Sequence, residues 1–384
     1  MHSVLRLPIL ACLVFAAPLL AQTPQYTTTS DGEVVDEPAA KPELVERLIM
    51  PKRGFLTIPV VMSGPTIGFG AGAALVWYRL PPDARISTKM TLPPFFAVTG
   101  FYAGGDQGGG GVALYRPFDE GRVRYLGLAT AASLDLRFYG ANQSNPLSSN
   151  PLHYQFQTVG TVQKLQLRIA KAPIYAGLQY TFAATESDFD LNQRPAALVD
   201  DDLGINIGGL GTNLEYDNRN SFIDATEGSK VAAGITAYSD ALGGSGNFGR
   251  ANAEALLYAQ PRDRWGVAAR LDVQSAWGEV PFFYTPYVHM RGLRAQRFAG
   301  RAIASAEAEV RLTIAPRWTL VGFGGAGGTA KEWNDFGEAR AVGAGGAGFR
   351  YLILKKLGIR SGIDIASGSG GGTSVYIQNG ATWR

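Results

Sequence analysis

The chain has 384 residues, 46% hydrophobic and only 17% charged, with a formal net charge of +3 at pH 7. So small and dispersed a charge offers no basic patch and argues against nucleic-acid binding. After Leu20 no unbroken apolar run approaches the ~20 residues that a membrane-spanning helix needs, so a helical membrane protein is excluded. Forty-nine glycines are too many for a helical domain and suit strands whose side chains crowd inside a closed barrel.

Residues 1–21 read as a secretory signal: Arg6, the short apolar run Leu7–Leu20, then Ala21 before Gln22. Cys12 is the sole cysteine, so cleavage after Ala21 leaves no disulfide. Residues 22–53 are polar and proline-bearing and read as a disordered periplasmic leader, too short for another ordinary folded domain. Pro42–Leu48 has the pattern of a short amphipathic helix, although a linker is the plainer reading.

Residues 54–384 form one all-β domain, with period-two segments separated by turn signals. About sixteen strands are predicted, at 55–63, 67–80, 88–102, 108–117, 123–138, 153–170, 174–187, 203–217, 229–239, 248–260, 265–277, 301–313, 318–327, 340–354, 357–366 and 373–383. Leu126, Leu128, Ala132, Leu134, Leu136 and Phe138 oppose Ser133, Asp135 and Arg137. Leu165, Leu167 and Ile169 oppose Lys164, Gln166 and Arg168, and Ile359, Ile363 and Ile365 oppose Arg360 and Asp364. Around Gly208-Gly209 the phase changes, which predicts a bulge. Dense charge on one face of so many strands points to a transmembrane antiparallel β-barrel. Aliphatic residues then face lipid, while Asp135, Arg137, Lys164, Arg168, Arg270, Asp272, Glu307 and Arg311 line the lumen. Trp77, Tyr78, Phe138, Tyr139, Tyr258, Trp265, Trp277 and Trp318 are expected in interfacial girdles.

Connections alternate between tight turns, such as 170–173, 260–263 and 355–356, and long ones at 141–152, 187–202, 278–300 and 328–339. Long loops belong outside and short turns inside, which predicts an outer-membrane location with both termini periplasmic. The connections 81–87 and 218–228 fall on the inner side yet exceed a hairpin turn. The longest loop holds Arg291 between two strongly amphipathic strands, so it is expected to fold inward towards carboxylates.

Three motifs sit on this topology. Met290-Arg291-Gly292-Leu293 lies between strands eleven and twelve; Asp217, Arg219 and Asn220 precede Gly228 in an inner turn; and Gly380 and Trp383 end the last strand. In this order they resemble the BamA/TamA (bacterial surface antigen) superfamily of outer-membrane barrels, in a short form without its periplasmic POTRA domains. The resemblance implies that Arg291 enters the barrel and pairs with Glu309, with Glu307 on the same inward face. It also implies a second acid in an F-x-D-x-G pattern, but here Gly325 stands at that position, after Phe323.

For function, the resemblance implies a barrel that assists insertion or translocation of proteins at the outer membrane. Its partners would be the lipid bilayer and unfolded or exported protein substrates, acting at a weak seam between the first strand, with Pro59, and the last, with Gly380. The alternative is a passive pore or small-solute channel. An enzyme is not expected: His153 and His289 are the only histidines after the signal, and no nucleophile motif, metal cluster or cofactor signature accompanies them. The acidic outer loop with Asp188, Asp190, Asp200, Asp201 and Asp202 reads as a solvated loop rather than a calcium site.

Overall fold

A computed structural model describes residues 55–78, 94–140, 147, 150–189, 204–221, 224–354, 359–379 and 383. The signal and leader readings, Gly380, and Asp190 with Asp200–Asp202 lie outside the described residues.

Sixteen strands follow one another: β1 Phe55–Gly64, β2 Gly68–Tyr78, β3 Phe95–Ala103, β4 Gly108–Phe118, β5 Val123–Phe138, β6 Leu152–Arg168, β7 Ile174–Phe189 and β8 Gly204–Asp217. They continue as β9 Gly228–Tyr238, β10 Phe248–Arg262, β11 Trp265–Gly278, β12 Ala302–Ala315, β13 Trp318–Ala330, β14 Arg340–Leu354, β15 Ile359–Gly368 and β16 Thr373–Asn379. Each pairs antiparallel with its neighbours in chain order, making one sheet that curls almost closed into a barrel. Among the described residues no strand ladder joins β16 to β1. The two meet nevertheless, since the Cβ direction of Gly64 points at the Tyr376 ring, 3.5 Å away.

Alternation sets the two faces. On β11, Val267, Leu271 and Val273 are exposed while Ala268 and Asp272 between them are buried. Leu165, Leu167, Leu178, Leu210, Leu214, Ile235, Leu257, Leu320 and Ile365 extend this outer apolar band. Exposed Trp77, Trp265 and Trp318 ring the short-turn end; Phe69, Tyr102 and Trp277 ring the other. Two aromatic belts around an aliphatic band are the signature of a lipid-facing barrel wall.

Several expectations are corrected. On β5 the apolar residues face inward: Ala132 and Leu134 are buried, and Leu136 and Phe138 pack into the lumen. Asp135 and Arg137 therefore project outward instead of lining a water path. The physical reason is length and filling. Strands β5, β6 and β7 run 16, 17 and 16 residues, beyond the ~9–11 that cross a bilayer, so their outer faces end in polar groups. Their inner faces meet packed aromatic side chains rather than water. For the same reason Phe138, Tyr139 and Tyr258 belong to lumenal packing and not to a girdle. No bulge interrupts β7–β8 at Gly208-Gly209, where the register is continuous. The β9–β10 connection folds over Gly208, whose carbonyl accepts from the Ser239 amide at 3.0 Å, while the Asn206 carbonyl accepts from the Ser245 amide at 2.8 Å.

Leu271, exposed at the middle of β11, offers a direct test. Arginine there should cost about 2–4 kcal/mol if the residue faces the bilayer midplane. Lysine at lumen-facing Asn252 should cost little, and urea titration in vesicles measures both.

Candidate functional site

The connection between β11 and β12 does not stand above the barrel but descends into it. Its first part, Pro281–Tyr284, makes a 3-10 turn whose rings join Tyr154, Phe156, Phe189, Tyr238 and Phe248 from the inner wall. Phe283 lies 5.1 Å from Phe156, and Phe282 lies 5.1 Å from Phe138, ring centre to ring centre. This aromatic packing seals one side of the lumen near the long-loop end. Deeper in, Val288, Met290, Leu293 and Phe298 form a second apolar cluster with Ile303 of β12 and Val342 of β14. Glycine is required between them: Gly292 has φ +99°, and a Cβ would meet the Ser367 carbonyl at 2.9 Å.

That turn delivers Arg291 to the lumen wall. Its Nη2 donates to Glu309 on β12 at 2.7 Å, and its Nη1 donates to Asp364 on β15 at 2.8 Å. The face of the guanidinium lies over Phe323 of β13, 3.4 Å from the ring centre. All three ionic side chains are nearly inaccessible, at 6%, 1% and 0% relative exposure for Arg291, Glu309 and Asp364. Ions held so deeply cost several kcal/mol each in lost hydration, which only full pairing offsets. The pairing continues outwards. Arg350 of β14 donates to both oxygens of Asp364 at 2.5 and 2.8 Å, and Arg311 donates to Glu309 at 2.8 Å. Arg311 also reaches Asp224 at 3.3 Å, and Asp224 in turn pairs with Arg360. Four guanidiniums thus share three carboxylates.

The expected partner Glu309 is in place; Glu307 plays another part. It faces inward, but its Oε2 takes Arg270 at 3.5 Å and the Trp383 indole N–H at 3.0 Å, with no hydrogen bond to Arg291. The second acid, which sequence reasoning missed, is Asp364. It could only be found as an inward position on β15, since period two gives a face and not a distance around the barrel. Position 325 has no room for an acid: a Cβ there would meet Glu307 Cγ at 2.7 Å and Met290 Sδ at 2.9 Å. The loop methionine occupies the space an acid would need. Gly346 and Gly348 make matching room, lying against Phe323 and Asp364.

The inner turn is held by its own side chains. Arg219 donates to both oxygens of Asp217 at 2.9 and 2.7 Å, with both residues buried. The Asn220 side chain accepts from the Thr226 and Glu227 amides at 3.0 and 3.2 Å. Gly228 has φ +95°, and a Cβ would strike Asn218 and Arg219 backbone. The length of this turn is explained by its destination, because Asp224 and Ala225 enter the barrel mouth.

Trp383 departs from expectation. It does not extend the closing strand, which ends at Asn379; it is buried in the lumen against Ala225, Leu256, Tyr258 and Ala268. The Tyr258 hydroxyl donates to its carbonyl at 3.1 Å. Pro59 lies mid-strand in β1, exposed and opposite Ala73, not at the strand start. His289 accepts from Arg270 through its carbonyl at 3.0 Å, and its ring stands edge-on to Tyr287. Among the described residues no group of three His, Cys, Asp or Glu is arranged to hold a metal.

A nearly closed sixteen-strand barrel, belted for lipid and carrying an arginine-clamped loop inside, defines the class. No family model matches the sequence, and no curated protein matches it significantly. Solved structures do. BamA from Haemophilus ducreyi lacking POTRA domains 1–3 aligns at TM-score 0.59 and 13% identity, over 86% of this chain and 70% of that one. CdiB from Escherichia coli aligns at TM-score 0.59 and 9% identity, over 86% of this chain and 63% of that one. CdiB from Acinetobacter baumannii aligns at 0.54 and 11%, over 85% and 59%. The fold is that of the BamA-type barrel.

Replacing Arg291 with alanine leaves Glu309 and Asp364 facing the lumen with one shared cation gone. Breaking one side of such a buried pair costs about 3–5 kcal/mol, so the barrel should lose heat resistance and the loop should become protease-sensitive. Lysine should not rescue it, because a point charge cannot bridge two carboxylates on separate strands. Unchanged melting and unchanged cleavage within 279–301 would show that the clamp does not hold the loop.

Proposed function

We propose that this chain is an outer-membrane barrel, with both termini periplasmic, that assists unfolded or exported protein substrates in entering or crossing that membrane. It works by conformational change at the wall, without covalent chemistry. One observation carries the reading: the inward loop bridges the two ends of the sheet where no described ladder does. The Gly292 amide donates to the Tyr376 hydroxyl on β16 at 2.8 Å, and the Ala295 amide donates to Thr66 Oγ1 beside β1 at 3.0 Å. A seam held by a few loop contacts opens at far lower cost than a full row of backbone hydrogen bonds in lipid. Strand β16 is also only 7 residues long, and Trp383 is buried in the lumen. The passive-pore alternative fits less well with a lumen occupied by the loop and sealed by aromatic rings.

Cysteines replacing Ser63 and Val375, next to the Gly64–Tyr376 contact, should join across the seam on oxidation. The joined barrel should lose assisted insertion or release of a client protein, and reduction should restore it. Full activity with the seam locked, together with large single-channel conductance in the native protein, would favour the passive pore.

A further inference from the structure

The short-turn mouth holds a cavity of about 180 Å³ lined by Arg264, Arg311, Arg350, Arg360, Asp224 and Asp263 among others. Its charge does not balance. Arg311, Arg350 and Arg360 line it against two carboxylates, Asp224 and Asp263. Arg264 adds a further cation on the β10–β11 turn, where no side-chain partner meets it among the described residues. The Arg360 side chain is 30% exposed, so part of its guanidinium is open to an incoming anion. A planar fork of this kind takes carboxylates in bidentate fashion.

A carboxylate source belongs to the chain itself. Residues 22–40 contain Asp31, Glu33, Asp36 and Glu37 and not one lysine or arginine. Strand β1 begins at Phe55, at the same end of the barrel as the cavity. Seventeen residues lie between Glu37 and Phe55, enough for about 60 Å extended or roughly 25 Å as a relaxed coil. Neighbouring strands lie about 4.8 Å apart, so Arg360 on β15 and Arg264 beside β11 are both within that reach.

We propose that the acidic stretch Asp31–Glu37 docks in this arginine-lined cavity. Docking places carboxylates beside Arg311 and Arg350, the residues that support the Arg291 clamp, and so ties the leader to the loop's anchorage.

The test uses the full chain in nanodiscs of neutral lipid, with a photo-cross-linking residue replacing Val34. Cross-links should map to 224–226 and 260–267. They should fall to background when the four acids are changed to Asn or Gln, and fall severalfold with Arg264→Gln, an exposed turn residue outside the clamp. Raising salt from about 0.1 to 1 M, which shortens the screening length from ~10 to ~3 Å, should also release the segment. Cross-links elsewhere, or cross-links indifferent to the acids, would overturn the proposal. Loss of the cross-link on replacing neutral lipid by phosphatidylglycerol, with the acid-to-amide variant no weaker than native, would instead make the cavity a lipid-anion site and also overturn it.

Discussion

The guanidinium of Arg291 is the constraint around which the lumen is arranged. It cannot shed its charge, so a loop that carries it inside must bring it to acceptors. It finds them on two strands at once, Glu309 on β12 and Asp364 on β15, with Phe323 of the intervening β13 beneath it. A single side chain thereby spans four adjacent strands of the wall. The supporting ions follow from that choice. Two carboxylates at the centre draw Arg311 and Arg350, and Arg311 brings in Asp224 from the inner turn. The loop and the opposite mouth are thus linked through one continuous set of charge pairs.

Two kinds of interaction hold the loop, and they differ in what they permit. The aromatic packing of Phe282 and Phe283 against β5, β6 and β7 is broad and tolerant of small shifts. The ionic clamp is narrow and directional, and fails by all or nothing. Between them run two hydrogen bonds, to Tyr376 on β16 and to Thr66 beside β1, one on each side of the seam. The loop therefore touches both ends of the sheet at once.

Much of this was legible in the sequence. The strand count, the chain-order pairing and the inward course of the longest loop follow from period-two alternation and from loop lengths, whereas Glu309 as the partner of Arg291 rests on the resemblance, since parity on β12 admits Glu307 equally. The failures have a common cause. Alternation says which residues share a face but not what that face meets. On β5 the inner face meets Phe282 and not water, so Asp135 and Arg137 were assigned to the wrong side. On β15 Asp364 was recognised as lying opposite the isoleucines, yet nothing local ties it to an arginine on a loop between other strands. Trp383 was read as the end of a strand because its inward burial depends on Glu307 and Tyr258, residues far away in sequence.

The glycines of the inner wall carry a last consequence. At Gly325 the missing side chain is replaced by Met290 of the loop, and at Gly346 by the ring of Phe323. Position 325 and position 290 therefore hold a single volume between them, although they are distant along the chain. Bulk gained by one must be surrendered by the other, so a substitution at either is felt at both. The wall and the loop are in that sense one core, shared out between two segments.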